Sequence, residues 1–169
     1  MDFGVHVVVS RFTVRYHPDM GAAAHRPGML NDAPRLFEVR RRSILELAPP
    51  GMSVAAAQAW AGQLALAGME RKLRELEIWI AEREGVVAGW GGIRGDTLEA
   101  LYTAPEYVGQ GVGAALLEWL EALMRGRGID AVHAEASPNA LGFYLRRGYR
   151  VTGPQTPVGA WPITRQFPG

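Results

Sequence analysis

The chain contains no cysteine. That excludes disulfides, zinc-thiolate sites and a cysteine nucleophile. Lysine is almost missing as well: Lys72 stands alone and arginine carries the other positive charge. We read this as a compositional habit of the source rather than a binding signal. No stretch approaches the roughly 18 uninterrupted apolar residues that a spanning helix needs, so no membrane partner is expected. Neither sign of charge dominates: the formal net charge is +1. The field of the whole molecule therefore gives no reason to expect a nucleic-acid partner. Met1–Val9 lacks the basic start and long apolar core of a secretory signal, and the cytoplasm is the default expectation.

What the chain does have is 169 residues, 48% of them apolar. That suits one domain with a real core and no need of metal or disulfide staples. Residues 1–19 differ in character from the rest. An apolar run (Val5, Val7, Val8, Val9) is followed by Arg11, Arg15, His17 and Pro18. Two readings stand open: an extension outside a domain that spans 20–169, or an extra edge strand at Val5–Val9 or Phe12–Tyr16.

Ala22–Arg26 reads as a first strand. Asn31 or Asp32 then caps a helix carrying Leu36, Val39, Ile44 and Leu47 at helical spacing. Arg40, Arg41 and Arg42 point about 100° apart on it and read as a solvated face. Pro49-Pro50-Gly51 stops that helix, and Ser53 caps a second from Val54 to about Gln63. Glu77–Glu84 and Val86–Ile93 read as a hairpin turning at Glu84-Gly85. Arg94-Gly95-Asp96 is a tight turn into a strand at Thr97–Thr103. A helix follows from about Gly111 to Arg125, with Val112, Leu116, Leu120 and Leu123 on one stripe. Ala131–Ala136 reads as a strand and Asn139–Arg147 as a short helix closed by Gly148. Tyr149–Thr152 and Trp161–Gln166 read as closing strands.

The informative segment is Leu98–Leu117, L-E-A-L-Y-T-A-P-E-Y-V-G-Q-G-V-G-A-A-L-L. A strand enters a turn where Gly109, Gly111 and Gly113 alternate with Gln110 and Val112, and the turn enters an amphipathic helix. Glycine lets backbone approach a ligand closely. The first helical N–H groups have no internal partners and carry partial positive charge, which suits phosphate. On periodicity alone, a tight strand–helix connection explains the turn equally well. A P-loop fails, because Val112-Gly113-Ala114 stands where Gly-Lys-Ser/Thr is required. Gly109-x-Gly111-x-x-Ala114 fits the relaxed dinucleotide fingerprint. However, antiparallel strands precede it, and Asp130 is the only nearby acidic residue, placed before the next strand.

A second segment, Ala134–Tyr149 (A-E-A-S-P-N-A-L-G-F-Y-L-R-R-G-Y), follows at a sensible distance. With both segments in view, the chain resembles the GNAT superfamily of N-acetyltransferases. Ala104–Tyr107 and Gly109–Gly113 are similar to its coenzyme A pyrophosphate loop. Ser137, Ala140, Phe143, Tyr144, Gly148 and Tyr149 are similar to its second element. The likeness extends more loosely from Ala24 to about Thr152. Two departures stand out: Val108 where the family usually has Gln or Arg, and Thr103 in place of valine.

The resemblance implies an α/β fold of the α+β type. Its central sheet would be mixed but mostly antiparallel, flanked by helices, and splayed between Thr97–Thr103 and Ala131–Ala136. It also implies transfer of an acetyl group from acetyl-CoA to a primary amine of a small molecule or peptide, by direct attack in a ternary complex without metal. Leu101, Tyr102 and Thr103 would pair with the pantetheine arm. A main-chain N–H near Tyr102 or Thr103 would polarise the thioester. Gly109, Gln110, Gly111, Val112, Gly113 and Ala114 would hold the pyrophosphate, with Ser137, Asn139 and Phe143 completing the cofactor site. Tyr144 is the candidate proton donor to the departing thiolate. Glu99 is the candidate base, directly or through water, with Glu135 as runner-up and His133 behind it. The stretch Arg40–Trp60 would wall the acceptor, with Trp60, Trp90 and Trp161 as candidate lining. A monomer or homodimer is expected. Two rivals stand: a non-catalytic acyl-CoA-binding or sensor domain of the same fold, and a dinucleotide-binding oxidoreductase.

Overall fold

The computed structural model describes residues 23–47 and 52–168. The suspected extension 1–19 and the Pro49-Pro50-Gly51 helix stop lie outside the described residues. The described residues form seven strands. These are β1 (Ala24–Pro27), β2 (Glu77–Arg83), β3 (Val86–Arg94), β4 (Thr97–Thr103), β5 (Ala131–Ala136), β6 (Arg150–Val151) and β7 (Trp161–Gln166). They make one sheet in the order β1-β2-β3-β4-β5-β7-β6. Every neighbouring pair is antiparallel except β4–β5, which is parallel. The hairpin expected at Glu84-Gly85 is present, with φ of 51° and 75°. Two positive φ angles are what a two-residue turn between right-twisted strands requires.

Helices cover both faces. On one side lie α1 (Ala33–Glu46), α2 (Val54–Gly62) and α3 (Leu66–Glu75). Leu36, Val39, Met69 and Leu73 pack there on Ile80 and Trp90, and the Trp90 Nε1 donates to the Leu36 carbonyl at 3.1 Å. Ser53 caps α2 as expected, accepting from the Ala56 N–H. Helix α3 is not anticipated from the sequence, although Met69 and Leu73 are buried one turn apart. On the other side lies α4 (Val112–Gly126), whose Leu116, Leu117, Leu120 and Met124 pack on Val132 and Ile163. The short α5 (Leu141–Leu145) closes that layer. Glu121 of α4 is only 2% exposed. Both its oxygens are engaged, by the Tyr149 hydroxyl at 2.8 Å and Arg165 Nη1 at 2.6 Å. A buried carboxylate persists only when paired in this way.

The splay expected between β4 and β5 is there. The two strands pair only at Thr97–His133 and Leu98–Ala134. A register shift between β3 and β4 accompanies it: Ile93 opposes Leu98 and Gly92 opposes Ala100, which leaves Glu99 as the extra residue. A bulge of this kind bends its strand. Past Glu99, β4 runs on to Thr103 beside β3 and holds no pairs with β5.

Candidate active site

The gap between β4 and β5 is a cavity of about 250 Å³. Strand β4 supplies Leu101, Tyr102 and Thr103 as one wall. The loop after β5 and helix α5 supply Ser137, Asn139, Phe143 and Tyr144 as the other. Helix α1 contributes Ser43 and Ile44, its C-cap contributes Leu47, and α2 contributes Trp60. Val108, Gly113 and Ala140 complete the lining, and none of these side chains is charged.

The glycine turn stands at one end. Gly109 and Gly111 have φ of 78° and 82°, a region that residues with a Cβ rarely enter. Gly111 is the N-cap of α4, and the first helical backbone bond is Ala115 N–H to the Gly111 carbonyl at 3.0 Å. The N–H groups of Val112, Gly113 and Ala114 therefore precede the internal bonding of α4 and sit at its positive dipole end. A Cβ on Gly113 would lie 3.0 Å from the Thr103 Oγ1 and 3.9 Å from the Phe143 ring, filling this end of the cavity. Backbone donors beside space that only glycine leaves open make a cradle suited to phosphate.

Tyr144 is 7% exposed and lines the cavity. Its ring meets Phe143 and Tyr149 edge-on at 5.1 and 5.2 Å. Its hydroxyl hydrogen-bonds none of the described residues. Burial pushes its pKa well above the ordinary tyrosine value, with smaller contributions from Tyr102 and Glu121. The phenol therefore keeps its proton across the whole neutral range. Ser137 donates to the Asn139 Oδ1 at 2.6 Å, and the Asn139 Nδ2 donates to the Leu47 carbonyl at 2.8 Å. The β5–α5 loop is thereby linked to the end of α1.

Eight of the expected site residues thus share the cavity: Leu101, Tyr102, Thr103, Gly113, Ser137, Asn139, Phe143 and Tyr144. Gly109, Gln110, Gly111, Val112 and Ala114 belong to the turn and helix start outside its lining. Glu99 does not line it either. The bulge places Glu99 beside Arg94, whose Nη2 donates to its Oε1 at 2.6 Å. Glu135 and His133 lie on the exposed face of β5, and His133 contacts the Thr164 hydroxyl oxygen at 3.0 Å. Of the three tryptophans offered as acceptor lining, only Trp60 lines the cavity; Trp90 is fully buried core. The arginines of α1 are not simply solvated. Arg40 donates to the Tyr102 hydroxyl at 3.3 Å, and Arg42 pairs with Glu46 and with Glu106 of the β4–α4 loop. Leu47 lies four residues after Ser43 and three after Ile44, the spacings that bring helical neighbours together, although the sequence alone does not mark these three as site residues.

A seven-stranded sheet parted beside a glycine cradle, with a neutral cleft and a buried phenol, defines a ligand-binding domain of mixed α/β architecture. More particularly, the chain belongs to the GNAT acetyltransferase family: the model of the "Acetyltransferase (GNAT) domain" matches residues 48–161. The peptidyl-lysine N-acetyltransferase YjaB of Salmonella typhimurium is 33% identical over 82 residues. That alignment covers 48% of this chain and 55% of YjaB, so the chain spans about half the length of this curated relative. A GCN5-related N-acetyltransferase structure from Rhodopseudomonas palustris is 29% identical, with a TM-score of 0.79 over 90% of this chain and 100% of that one. The PaiA N-acetyltransferase of Thermoplasma acidophilum, solved with coenzyme A, has a TM-score of 0.73 at 20% identity over 86% of this chain and 99% of that one. At that identity the likeness is one of fold.

Proposed function

We propose that this chain transfers an acetyl group from acetyl-CoA to a primary amine, with both substrates bound at once. The observation that carries this is the edge of β4 beyond Leu98, unpaired on the β5 side among the described residues and running from the Glu99 bulge toward the N-terminus of α4. An arm with amide groups can add to a strand edge, and a diphosphate suits the N–H groups that follow Gly111. The residues therefore fit the cosubstrate, which supplies an activated thioester.

Family membership and the fold of PaiA, itself solved with coenzyme A, support this assignment. Leu101–Thr103 would hold the arm, and Gly109–Ala114 the pyrophosphate. Ser137, Asn139 and Phe143 would close the cofactor side, leaving Ser43, Ile44, Leu47 and Trp60 to face the acceptor. As the amine nitrogen bonds to the carbonyl carbon, the carbon–sulfur bond breaks. The Tyr144 hydroxyl protonates the departing sulfur, and the proton lost by nitrogen passes through water to Glu99. Water is needed because Glu99 lies outside the cavity lining. The neutral lining also favours the uncharged amine, the form that attacks.

Thiol release from acetyl-CoA, measured against lysine-containing peptides, free amino acids and small amines, tests this function. YjaB, a peptidyl-lysine enzyme by name, sets the first acceptor to try. Intersecting initial-velocity lines are expected for a ternary complex. Parallel lines would reject direct attack, and binding of coenzyme A without turnover of any amine would favour a sensor.

A further inference from the structure

Among the described residues, neither the cavity lining nor the turn from Val108 to Ala114 carries a charged side chain. Backbone N–H groups contribute only partial charge to a ligand as negative as a diphosphate. A cation nevertheless reaches the turn from elsewhere. Arg83 ends β2, where it pairs with Val86 across the hairpin. Its Nη1 donates to the Gln110 Oε1 at 2.5 Å, and its guanidinium sits 5.9 Å from the centre of the Tyr107 ring. The Gln110 Nε2 donates back to the Glu106 carbonyl at 2.9 Å, which aims the Gln110 oxygen at Arg83.

Two nearby carboxylates are engaged elsewhere. Glu82 pairs with Arg26 at 2.7 Å, and Glu106 pairs with Arg42 at 3.0 Å and Arg35 at 3.5 Å. Among the described residues, no carboxylate forms an ion pair with Arg83. A guanidinium has five N–H donors, and Gln110 occupies one of them. The side chain is half-buried and held by two contacts, so ordering it for a ligand costs little further entropy.

We propose that Arg83 anchors the pyrophosphate of coenzyme A, as a cation delivered to the glycine turn from the end of a neighbouring strand. This rests on the assignment of the cavity and turn to coenzyme A. Arg83 stands 27 residues from Gln110, so no local motif contains both.

Calorimetric titration of the whole protein and of Arg83→Ala, Arg83→Lys and Gln110→Ala tests it, with coenzyme A, dephospho-coenzyme A and acetyl-pantetheine as ligands. Arg83→Ala should weaken the first two equally, by roughly 10- to 100-fold, the range of a lost charge-assisted bond. It should leave acetyl-pantetheine, which has no pyrophosphate, unchanged. Arg83→Lys should recover part of the loss, and Gln110→Ala should lose less than Arg83→Ala. Equal weakening of acetyl-pantetheine, or a Gln110→Ala loss matching Arg83→Ala, would reduce Arg83 to a loop support and overturn the proposal. A loss confined to coenzyme A would move the contact to the 3′-phosphate and overturn it too. Unchanged binding in Arg83→Ala would overturn the role of Arg83 alone. Wild-type protein that ignores coenzyme A would overturn the functional assignment together with it.

Discussion

The hydroxyl of Ser43, on α1, donates to the main-chain carbonyl of Thr103, the last residue of β4, at 2.8 Å. The helix proposed to face the acceptor is thereby pinned to the strand whose edge is proposed to take the cofactor arm. Arg42 reinforces the link one residue earlier through Glu106. Replacing Ser43 by alanine leaves a part-buried carbonyl without its donor, at a cost of about 1 kcal/mol. In a domain of this size that lowers the melting temperature by roughly 2–4 °C. Because Ser43 also lines the cavity, KM should rise several-fold with kcat less affected. An unchanged melting curve together with an unchanged KM would show that the bond holds nothing in place.

Glu99 gives the second prediction. Its Oε1 is taken by Arg94, while the bulge keeps the residue at the point where β4 and β5 part. Acting as base through water, it should lose about 100-fold in kcat when changed to glutamine, toward the lower end of acid–base effects. The isosteric amide should leave coenzyme A affinity intact. Arg94→Gln, which breaks the same ion pair, separates the two roles: a purely structural pair would make both variants behave alike. Wild-type turnover in Glu99→Gln would remove this residue from the proton path.

Much of this architecture was legible because its signals are local. Alternation marked β2, the Glu84-Gly85 pair marked the hairpin, and the stripe Val112–Leu120 marked α4. The glycine turn and the Ser137–Tyr149 segment fixed the family because two linked patterns are far more specific than one. What escaped depends on contacts between distant segments. Helix α3 carries only two buried anchors, Met69 and Leu73, in a short window rich in charge. The bulge at Glu99 leaves no trace in β4 itself, since it is defined by what β3 places opposite. The turning of Arg40 toward Tyr102 and Arg42 toward Glu106 depends on how α1 crosses the sheet. Spacing along α1 carries no such information. Trp90 and Trp60 are alike in sequence, and only packing sends one to the core and the other to the cavity.

A third prediction concerns acid. His25 on β1 stacks on Trp119 at 5.1 Å, and its Nε2 is buried with no partner among the described residues. Burial lowers its pKa below the ordinary 6.5. The unfolded chain therefore binds this proton more readily than the folded one, and stability rises with pH across that interval. The full contribution is present above about pH 6.5 and declines as pH falls from there toward the folded-state value. Glu77, Asp32 and Glu106 have lowered pKa values. Their loss belongs to a more acidic window, below the ordinary carboxylate range, so the two effects separate. His25→Phe keeps a ring against Trp119 and removes the titration. Its melting temperature should fall less than that of wild type between pH 6.5 and 5. Parallel curves for the two proteins would clear His25 of any part in acid sensitivity.

The last prediction isolates the hydroxyl of Tyr144. Changing it to phenylalanine removes one oxygen and leaves the ring against Phe143 and Tyr149, so packing and melting temperature should hold. The oxygen makes no hydrogen bond within the described residues, so its removal strands no buried partner. That distinguishes this phenol from the neighbouring Tyr149, whose hydroxyl donates to buried Glu121. If the Tyr144 proton assists the departing thiolate, kcat should drop by roughly 10²–10⁴-fold with coenzyme A affinity nearly constant. The raised pKa adds a second expectation. Tyr144 stays protonated past the ordinary tyrosine range, so the wild-type rate should show no alkaline fall near pH 10 from its ionisation. Both readings require chemistry to limit turnover, because slow product release would hide the change. A pre-steady-state burst of free thiol reveals which step limits. Wild-type kcat in Tyr144→Phe, without such a burst, would pass the protonation of sulfur to water, and the burial of Tyr144 would then serve the core alone.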